Sequence, residues 1–397
     1  MGNYWKVAGS ELNDQLHLKD LKEQYSSGKL ADASEVENEL SKVKYPEYLN
    51  KIKLEDVAVH EHVNPDHVKN DKGHLGDPTF KNLFKAGLKI EKFDLSPNLG
   101  TEIDGVQLSE LDDAGRNDLA LFLETRGLAV FRNQDFRDKG PAFARSFGQY
   151  FGPLHIHPVA YSAKDHPELL VTFRGAGGPE RWEQNFRFKT NTNAWHSDIS
   201  FEEYPSSFSF FVALEAPPSG GDTVFVDLRE AYKRLSPPLQ KFFESLTIIH
   251  SNEILQKVAA VRGLLSRDKK VLYTEHPLVR SHPVTGEKSL FFSRGFIHKI
   301  KGLKESESAF ILNFLEDHCL NNPEIQVRAN HRGTDARTVI AWDNRFLAHT
   351  AVLDFLNHET SARHHFRITV LGEKPYLEDK KVEDSDSDGE DRHPRAY

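Results

Sequence analysis

The stretch SFSFFVALEAPPSGGDTVFVDL, residues 207–228, holds two short apolar runs separated by prolines, a serine and two glycines. The first, SFSFFVALEA (207–216), and the second, DTVFVDL (222–228), have strand length and the aromatic and β-branched residues that suit a pleated surface. Similar runs lie downstream at KSLFFSRGF (288–296), RTVIAWDN (337–344) and HHFRITVLG (364–372). Helical patterns interrupt them at LREAYKRLSPPLQKFFESL and ESESAFILNFLEDHCL; in the latter Phe310/Phe314 and Ile311/Leu315 repeat at i, i+4. Upstream, Leu119, Phe122 and Leu123 predict a helix that Gly127 ends in a left-handed cap, followed by LAVFRN as a buried strand. Many short strands with a few flanking helices predict a mainly β protein, a double-sheet jelly roll rather than a doubly wound α/β fold. The 27 Phe against one Met lean the same way. No G-x-G-x-x-G follows a strand and no P-loop is present, which argues against a nucleotide-binding domain.

With 397 residues, 38% of them apolar, the chain can bury a large core. Its net charge of -9 excludes a phosphate-neutralising nucleic-acid surface. The single cysteine, Cys319, forbids an internal disulfide and fits a reducing compartment. The start has neither a signal-peptide core nor a membrane span, and Lys6 spoils a myristoylation motif at Gly2, so a cytoplasmic protein is expected, with no membrane partner. Residues 1–87 are polar and lysine-rich and read as an extension that wraps the core or is partly disordered. The domain proper spans 88–372, and the acidic end, 373–397, reads as a disordered tail.

AWHSDISF, residues 194–201, carries the chemistry. On a strand, side chains two apart share a face, so His196 and Asp198 converge on one point while Ser197 turns away. Two imidazoles and one carboxylate form a facial triad that leaves three positions of iron(II) open, whereas a closed four-ligand zinc site leaves none. About three His-x-Asp/Glu triplets are expected by chance among 20 His and 60 acidic residues, so the triplet alone decides little. The chain has two; the other, His166 with Glu168, sits beside a proline and reads as a solvated turn. Context favours the first. SGGDTVFVD (219–227) sets two glycines before Thr223 and a strand, and IAWDNRFLAHTAV (340–352) ends a strand and delivers His349. In ARHHFRITV (362–370), Arg363 and Arg367 lie four apart on one strand face, about 13 Å along it. Arginine is the side chain expected to grip a carboxylate bidentately.

In that order, WHSD, GGDT, WDNR with its following histidine, and the closing R-x-x-x-R resemble the TauD/TfdA family of dioxygenases, with the nearest likeness to fungal sulfonate dioxygenases. The resemblance implies a double-stranded β-helix, or jelly-roll, core. It implies iron(II) on His196, Asp198 and His349, 2-oxoglutarate held by Thr223 and Arg363 with O2 as the other co-substrate, and Arg367 facing the substrate anion. His157, Phe201 and Phe296 match substrate-pocket positions. The implied reaction hydroxylates the carbon bearing a sulfonate, and the adduct collapses to sulfite and an aldehyde.

Bland alternatives stand beside these roles. Phe201 and Phe296 would pass for core residues, His157 for a satisfied interior histidine, and the arginines for a solvated edge. His364 and His365 read as structural, His60, His62 and His67 as exposed, and Asp343 with Arg345 as a local ion pair. Two departures from the taurine enzyme's pattern, Ala160 and Thr192, remove polar contacts suited to an amine-bearing substrate and favour alkyl or aryl sulfonates. The rival readings are a related dioxygenase acting on a carboxylate, sulfate ester or heterocycle, and a non-catalytic metal-binding jelly roll. A homo-oligomer remains open.

Overall fold

The computed structural model describes residues 43–48, 71–158, 161–174, 194–256, 271–331, 337–356 and 362–378. Its first eight strands are β1 (Glu91–Asp94), β2 (Thr101–Asp104), β3 (Leu128–Phe131), β4 (Tyr161–Ala163), β5 (His166–Arg174), β6 (Ser206–Glu215), β7 (Thr223–Asp227) and β8 (Thr247–Ser251). Then come β9 (Tyr273–Pro277), β10 (Val279–Ser281), β11 (Lys288–Leu290), β12 (Ile297–Ile300), β13 (Gln326–Ala329), β14 (Val339–Asp343), β15 (Leu347–Ala351) and β16 (Arg363–Leu371). The helices are α1 (Asp113–Arg126), α2 (Pro141–Gln149), α3 (Leu228–Lys233), α4 (Pro237–Glu244) and α5 (Glu305–Leu320). Eight strands form one sheet in the order β1-β2-β3-β14-β6-β16-β5-β4, with β2 and β3 parallel and the other pairs antiparallel. A three-stranded sheet, β13-β7-β15, is packed against it.

Period-two alternation builds the layers. On β6, Phe208, Phe210, Val212 and Leu214 join Phe366, Ile368 and Val370 of β16 in a core shared with Leu119, Phe122 and Leu123 of α1. The intervening Phe211 and Ala213 point the other way, into a second core with Ile340 and Trp342 of β14 and Phe225 and Leu347 of the small sheet. The outer face of the small sheet, through Val226 and Ala348, packs under α3 and α5 in a third core. Each large side chain buried this way contributes about 1.5–3 kcal/mol. The parity has a consequence for β16: with Phe366, Ile368 and Val370 outward, residues 363, 365 and 367 face the space between the sheets. Together the two sheets form the expected jelly roll.

Several elements match their sequence reading. Asp112 caps α1 by accepting from Gly115 N (2.8 Å), and Gly127, at φ 74°, donates to Leu123 O (2.7 Å). On α5, Ile311 and Leu315 are buried while Phe310 and Phe314 are the exposed pair. Other elements differ. KSLFFSRGF yields a strand only over Lys288–Leu290, and Phe291 and Phe292 are buried outside it. His166 and Glu168 lie in β5 rather than a turn, with Glu168 Oε1 accepting from Arg145 Nε (2.9 Å). The terminal segments contribute too. Tyr48 is fully buried, stacks on Phe366 with ring centroids 4.7 Å apart, and donates to Arg137 O (2.8 Å). Past β16, Glu373 pairs with the buried Arg280, and Tyr376 O accepts from Ser281 N (2.7 Å), so the acidic end is docked as far as these residues. His60, His62, His67, Ala160, Thr192 and the tail from 379 lie outside the described residues. Among the described residues no helix is long and apolar enough to cross a membrane.

The turn between β14 and β15 carries the ion pair expected of WDNR, and it is part of a larger network. Arg345 is buried and donates to both carboxylate oxygens of Asp343 (2.6–3.0 Å), to Glu124 Oε1 (2.9 Å) and to Asp71. His282 accepts from Val284 N and Thr285 N at Nδ1 (3.2 Å each), so its proton sits on Nε2, 3.0 Å from Asp343 Oδ2. Glu124, His282 and Asp343 bring ligand atoms within 4.8 Å of one another, but Arg345 and the imidazole N–H already occupy them, which makes the cluster structural. Burial, with Asp71 and Asp343 close by and only Arg345 opposing, pushes the Glu124 carboxyl up to about 10.

Two predictions follow from these contacts. Tyr48→Ala should lower unfolding free energy by about 3–5 kcal/mol, whereas Tyr48→Phe should lose only about 1 kcal/mol for the hydrogen bond. Urea titration of both variants measures this, and a near-neutral Tyr48→Ala would show that the segment is not docked. For Glu124, the folded carboxyl sits above its ordinary 4.5, so its favourable contribution is complete below that pH and declines as pH rises toward 10. Glu124→Gln carries the neutral form at every pH. Its stability relative to the parent should therefore climb steadily from pH 5 to pH 9, and a pH-independent difference would refute the neutral carboxyl.

Candidate metal centre

His196 and His349 are joined backbone to backbone: His349 N donates to His196 O (2.8 Å) and His196 N to His349 O (3.0 Å). This single bridge places the AWHSD run alongside β15 of the small sheet. Beyond it the chain turns, with Ile199 at φ 47°, and Asp198 enters that turn. The convergence of His196 and Asp198 therefore comes from a bridge followed by a turn, not from the parity of a continuous strand. The result is the expected cluster: ligand atoms of His196, Asp198 and His349 all lie within 4.8 Å of one another. His196 Nε2 is 3.4 Å and His349 Nε2 3.6 Å from Asp198 Oδ1.

The protonation states suit a cation. His196 Nδ1 lies 2.6 Å from Ala194 O and must donate to it, so Nε2 is the ring nitrogen that faces the cluster. Burial and the neighbouring His196 hold His349 well below the ordinary histidine range, so its imidazole is neutral at physiological pH. Burial alone would raise Asp198, but the Arg367 guanidinium beside it keeps its carboxyl far below the usual range. Arg367 Nη1 is 2.7 Å from Asp198 Oδ1 as an ion pair, yet that fully buried oxygen accepts no hydrogen bond of regular geometry. The two imidazoles, with that of His349 neutral, and a carboxylate oxygen with an unused lone pair fit iron(II). Phe225 and Trp342 pack against the His349 ring, with centroids 5.7 Å and 4.9 Å away, and fix its plane.

Around the cluster, the inner face of β16 presents Arg363, His365 and Arg367. Arg363 Nε donates to Gly221 O (2.9 Å), and its Nη1 is 3.3 Å from His365 Nδ1. Gly221 has φ 69°, and a Cβ there would meet Pro217 Cγ at 2.9 Å, so the GGDT turn requires glycine to aim this carbonyl at the arginine. Thr223, two residues on, is buried at the start of β7, on the same strand face as Phe225. His365, expected to be structural, shares the parity of Arg363 and Arg367, and that spacing is the signal that places it on this face. Its ring stacks on Phe211 at 4.1 Å, and His331 stacks on Phe211 at 4.6 Å.

The expected substrate-pocket residues divide. Phe296 sits edge-on to His196 (5.8 Å) and to Phe201 (5.0 Å), so these two aromatics form one wall beside the cluster. Phe201 is fully buried and belongs equally to an apolar cluster with Ile199 and Leu371. His157 is half-buried in a segment that is not a strand, its ring 6.4 Å from that of His155. His155 is the more deeply buried of the pair and meets Glu202 Oε1 at 3.2 Å.

The family model for taurine catabolism dioxygenase TauD, TfdA family, matches residues 91–369. The chain is 39% identical over 348 residues to an alpha-ketoglutarate-dependent sulfonate dioxygenase of Saccharomyces cerevisiae, covering 86% of this chain and 80% of that protein. It is 37% identical over 352 residues to an alpha-ketoglutarate-dependent dioxygenase of Penicillium expansum, covering 87% and 90%. Among solved structures, a taurine dioxygenase from Burkholderia xenovorans superposes with a TM-score of 0.57 at 29% identity, covering 72% of this chain and 92% of that one.

Proposed function

The chain belongs to the taurine catabolism dioxygenase TauD, TfdA family, and we propose that it hydroxylates the carbon bearing a sulfonate, using iron(II), 2-oxoglutarate and O2 and releasing sulfite and an aldehyde. The observation that carries this reading is the meeting of His196, Asp198 and His349 beside a strand face that presents the buried Arg363 and the partly buried Arg367. Iron(II) held by those three residues supplies the activation of O2 that no side chain can provide.

The remaining work falls to the chain. Arg363, aimed by Gly221 and His365, supports the distal carboxylate of 2-oxoglutarate, with the Thr223 hydroxyl as a further donor. Arg367 orients the substrate anion, with His157 as its partner on the pocket side. Asp198 Oδ1 cannot serve both Arg367 and a divalent cation at full strength, so metal binding leaves the guanidinium available to a second anion. A sulfonate stays ionised at any physiological pH, which makes an always-charged guanidinium its natural counterpart. The Phe201 and Phe296 wall excludes water from the reacting carbon and favours an alkyl or aryl chain. The sulfonate dioxygenase of Saccharomyces cerevisiae, at 39% identity, supports the same substrate class. The composition and the lone thiol of Cys319 favour work in the cytoplasm.

Taurine, isethionate, a short alkanesulfonate and an alkyl sulfate ester, each incubated with enzyme, iron(II), 2-oxoglutarate and O2, test the substrate. Sulfite in step with succinate from a sulfonate, lost in Arg367→Ala, is the expected result. Coupled succinate only with the sulfate ester or a carboxylate would overturn the sulfonate reading and leave the dioxygenase standing. Alanine at His196, Asp198 or His349 should abolish both turnover and the visible charge-transfer band of the anaerobic iron(II)–2-oxoglutarate complex. Arg363→Ala should raise the 2-oxoglutarate KM by an amount worth about 2–4 kcal/mol while iron still binds; an unchanged KM would move the anchor elsewhere.

A further inference from the structure

Behind the three donor residues lies a small, fully paired polar group. Ser209 Oγ donates to Asp198 Oδ2 at 2.6 Å, from the inner face of β6. Asn344, in the β14–β15 turn, donates through Nδ2 to Ser209 Oγ and to Ser206 Oγ, both at 3.0 Å. Its Oδ1 accepts from Asp198 N (3.1 Å) and from Trp342 Nε1 (2.9 Å). Ser209, Asn344 and Asp198 are 0%, 1% and 1% exposed, so water does not compete for these bonds.

The pattern leaves no freedom. Two donors converge on Asn344 Oδ1 and two hydroxyl oxygens receive Nδ2, so the amide has one orientation that satisfies all four neighbours. Because Asn344 occupies an acceptor position on Ser209, the single hydroxyl proton is directed at Asp198. One carboxylate oxygen is thereby taken by Ser209, and the other, Oδ1, is left as the one that faces His196 Nε2 and His349 Nε2. Asn344 holds Asp198 twice, by its backbone N–H directly and by its side chain through Ser209. It does so from the hairpin that carries His349, five residues further along the chain.

The geometry points to Ser209 and Asn344 as positioning residues that present Asp198 to the metal through one oxygen, keep the other out of the coordination sphere, and tie its placement to that of His349. This inference rests on the metal-binding reading above. One oxygen rather than two matters because a bidentate carboxylate would consume a position that the co-substrates need. Partners of this kind alter metal affinity by about 10–100-fold when removed.

The test uses the full-length metal-free protein titrated with cobalt(II), with affinity and the visible d–d spectrum as readouts and melting temperature of the metal-free protein as the structural control. Ser209→Ala should weaken cobalt(II) about 10–100-fold and change the spectrum as Oδ2 enters coordination, with the metal-free melting temperature little altered. Ser209→Thr keeps the hydroxyl and should restore both. Wild-type affinity and spectrum in Ser209→Ala would overturn the inference. So would a Thr variant that melts like the parent yet binds as weakly as the Ala variant, because the effect would then be packing. Failure of the parent itself to bind a divalent metal would strike the functional reading, and so is distinguishable from failure of this one.

Discussion

A guanidinium shut away from water, that of Arg345, is the fixed point of this structure. Taking a lone charge out of water costs several kcal/mol, and removing one partner from such a group costs about 3–5 kcal/mol, so its surroundings are tightly constrained. Asp343 accepts three hydrogen bonds from it within their own turn, Glu124 a fourth from α1, and Asp71 a further one from the segment before β1. Glu373, just past β16, lies 3.8 Å away. One side chain thus joins the β14–β15 hairpin, the helix over the large sheet and the segments flanking the domain. The hairpin matters most. Asn344 stands between Asp343 and Arg345, and His349 follows on β15, so immobilising this turn sets the distance from which Asn344 reaches Asp198. The neutral state of Glu124 completes the balance, because an ionised fourth carboxylate would add negative charge that Arg345 alone cannot offset.

Much of this was legible in the sequence, for reasons that can be stated residue by residue. Phe208, Phe210 and Phe211 announce β6 because a strand buried on both faces needs apolar side chains at both parities. The polar exception in that run, Ser209, carried a signal too: a hydroxyl in a doubly buried strand must have a partner, and it has Asp198. Arg363 and Arg367 declared a shared face by their spacing, and the same parity argument applied to His365 would have put it between them. The candidate metal cluster was legible as a set of residue types, but not in its geometry. A lone bridge and a turn bring His196 and Asp198 together, and neither leaves a periodic trace.

What the sequence could not carry is contact between distant segments. Asp71 and Arg345 are 274 residues apart, and nothing near Asp71 distinguishes it from its polar neighbours. Tyr48 looks like one more aromatic, three residues after Tyr45 in a lysine-rich extension, until Phe366 is seen beneath it. The run KSLFFSRGF has strand composition throughout, yet past Leu290 its phenylalanines are used for packing: Phe291 against Arg280 and His250, Phe296 against His196. Propensity reports that a residue suits a half-buried surface; tertiary structure decides whether that surface is a sheet.

The space between the two sheets shows where stability and function part. Along one stretch it is filled by Phe225, Trp342, Ile340 and Leu347, as a sandwich core requires. Along the adjoining stretch the same inward-facing positions hold Arg363, His365, Arg367, Ser209 and Asp198, all buried or nearly so. For stability alone, valine or phenylalanine at 363, 365 and 367 would continue the core without any desolvation cost, and replacing buried charges by apolar groups is often neutral or favourable. The aromatic Phe211 lies at the boundary, stacked with both His331 and His365, and the Arg363 guanidinium is 5.3 Å from its centroid. It gives the arginine a flat apolar surface that offers attraction without competing for its hydrogen bonds. Charged groups held at core positions, with Arg367 Nε and Asp198 Oδ1 left without hydrogen bonds, are what a purely structural sheet would avoid. The sandwich supplies rigidity from its apolar stretch and spends it on the polar one.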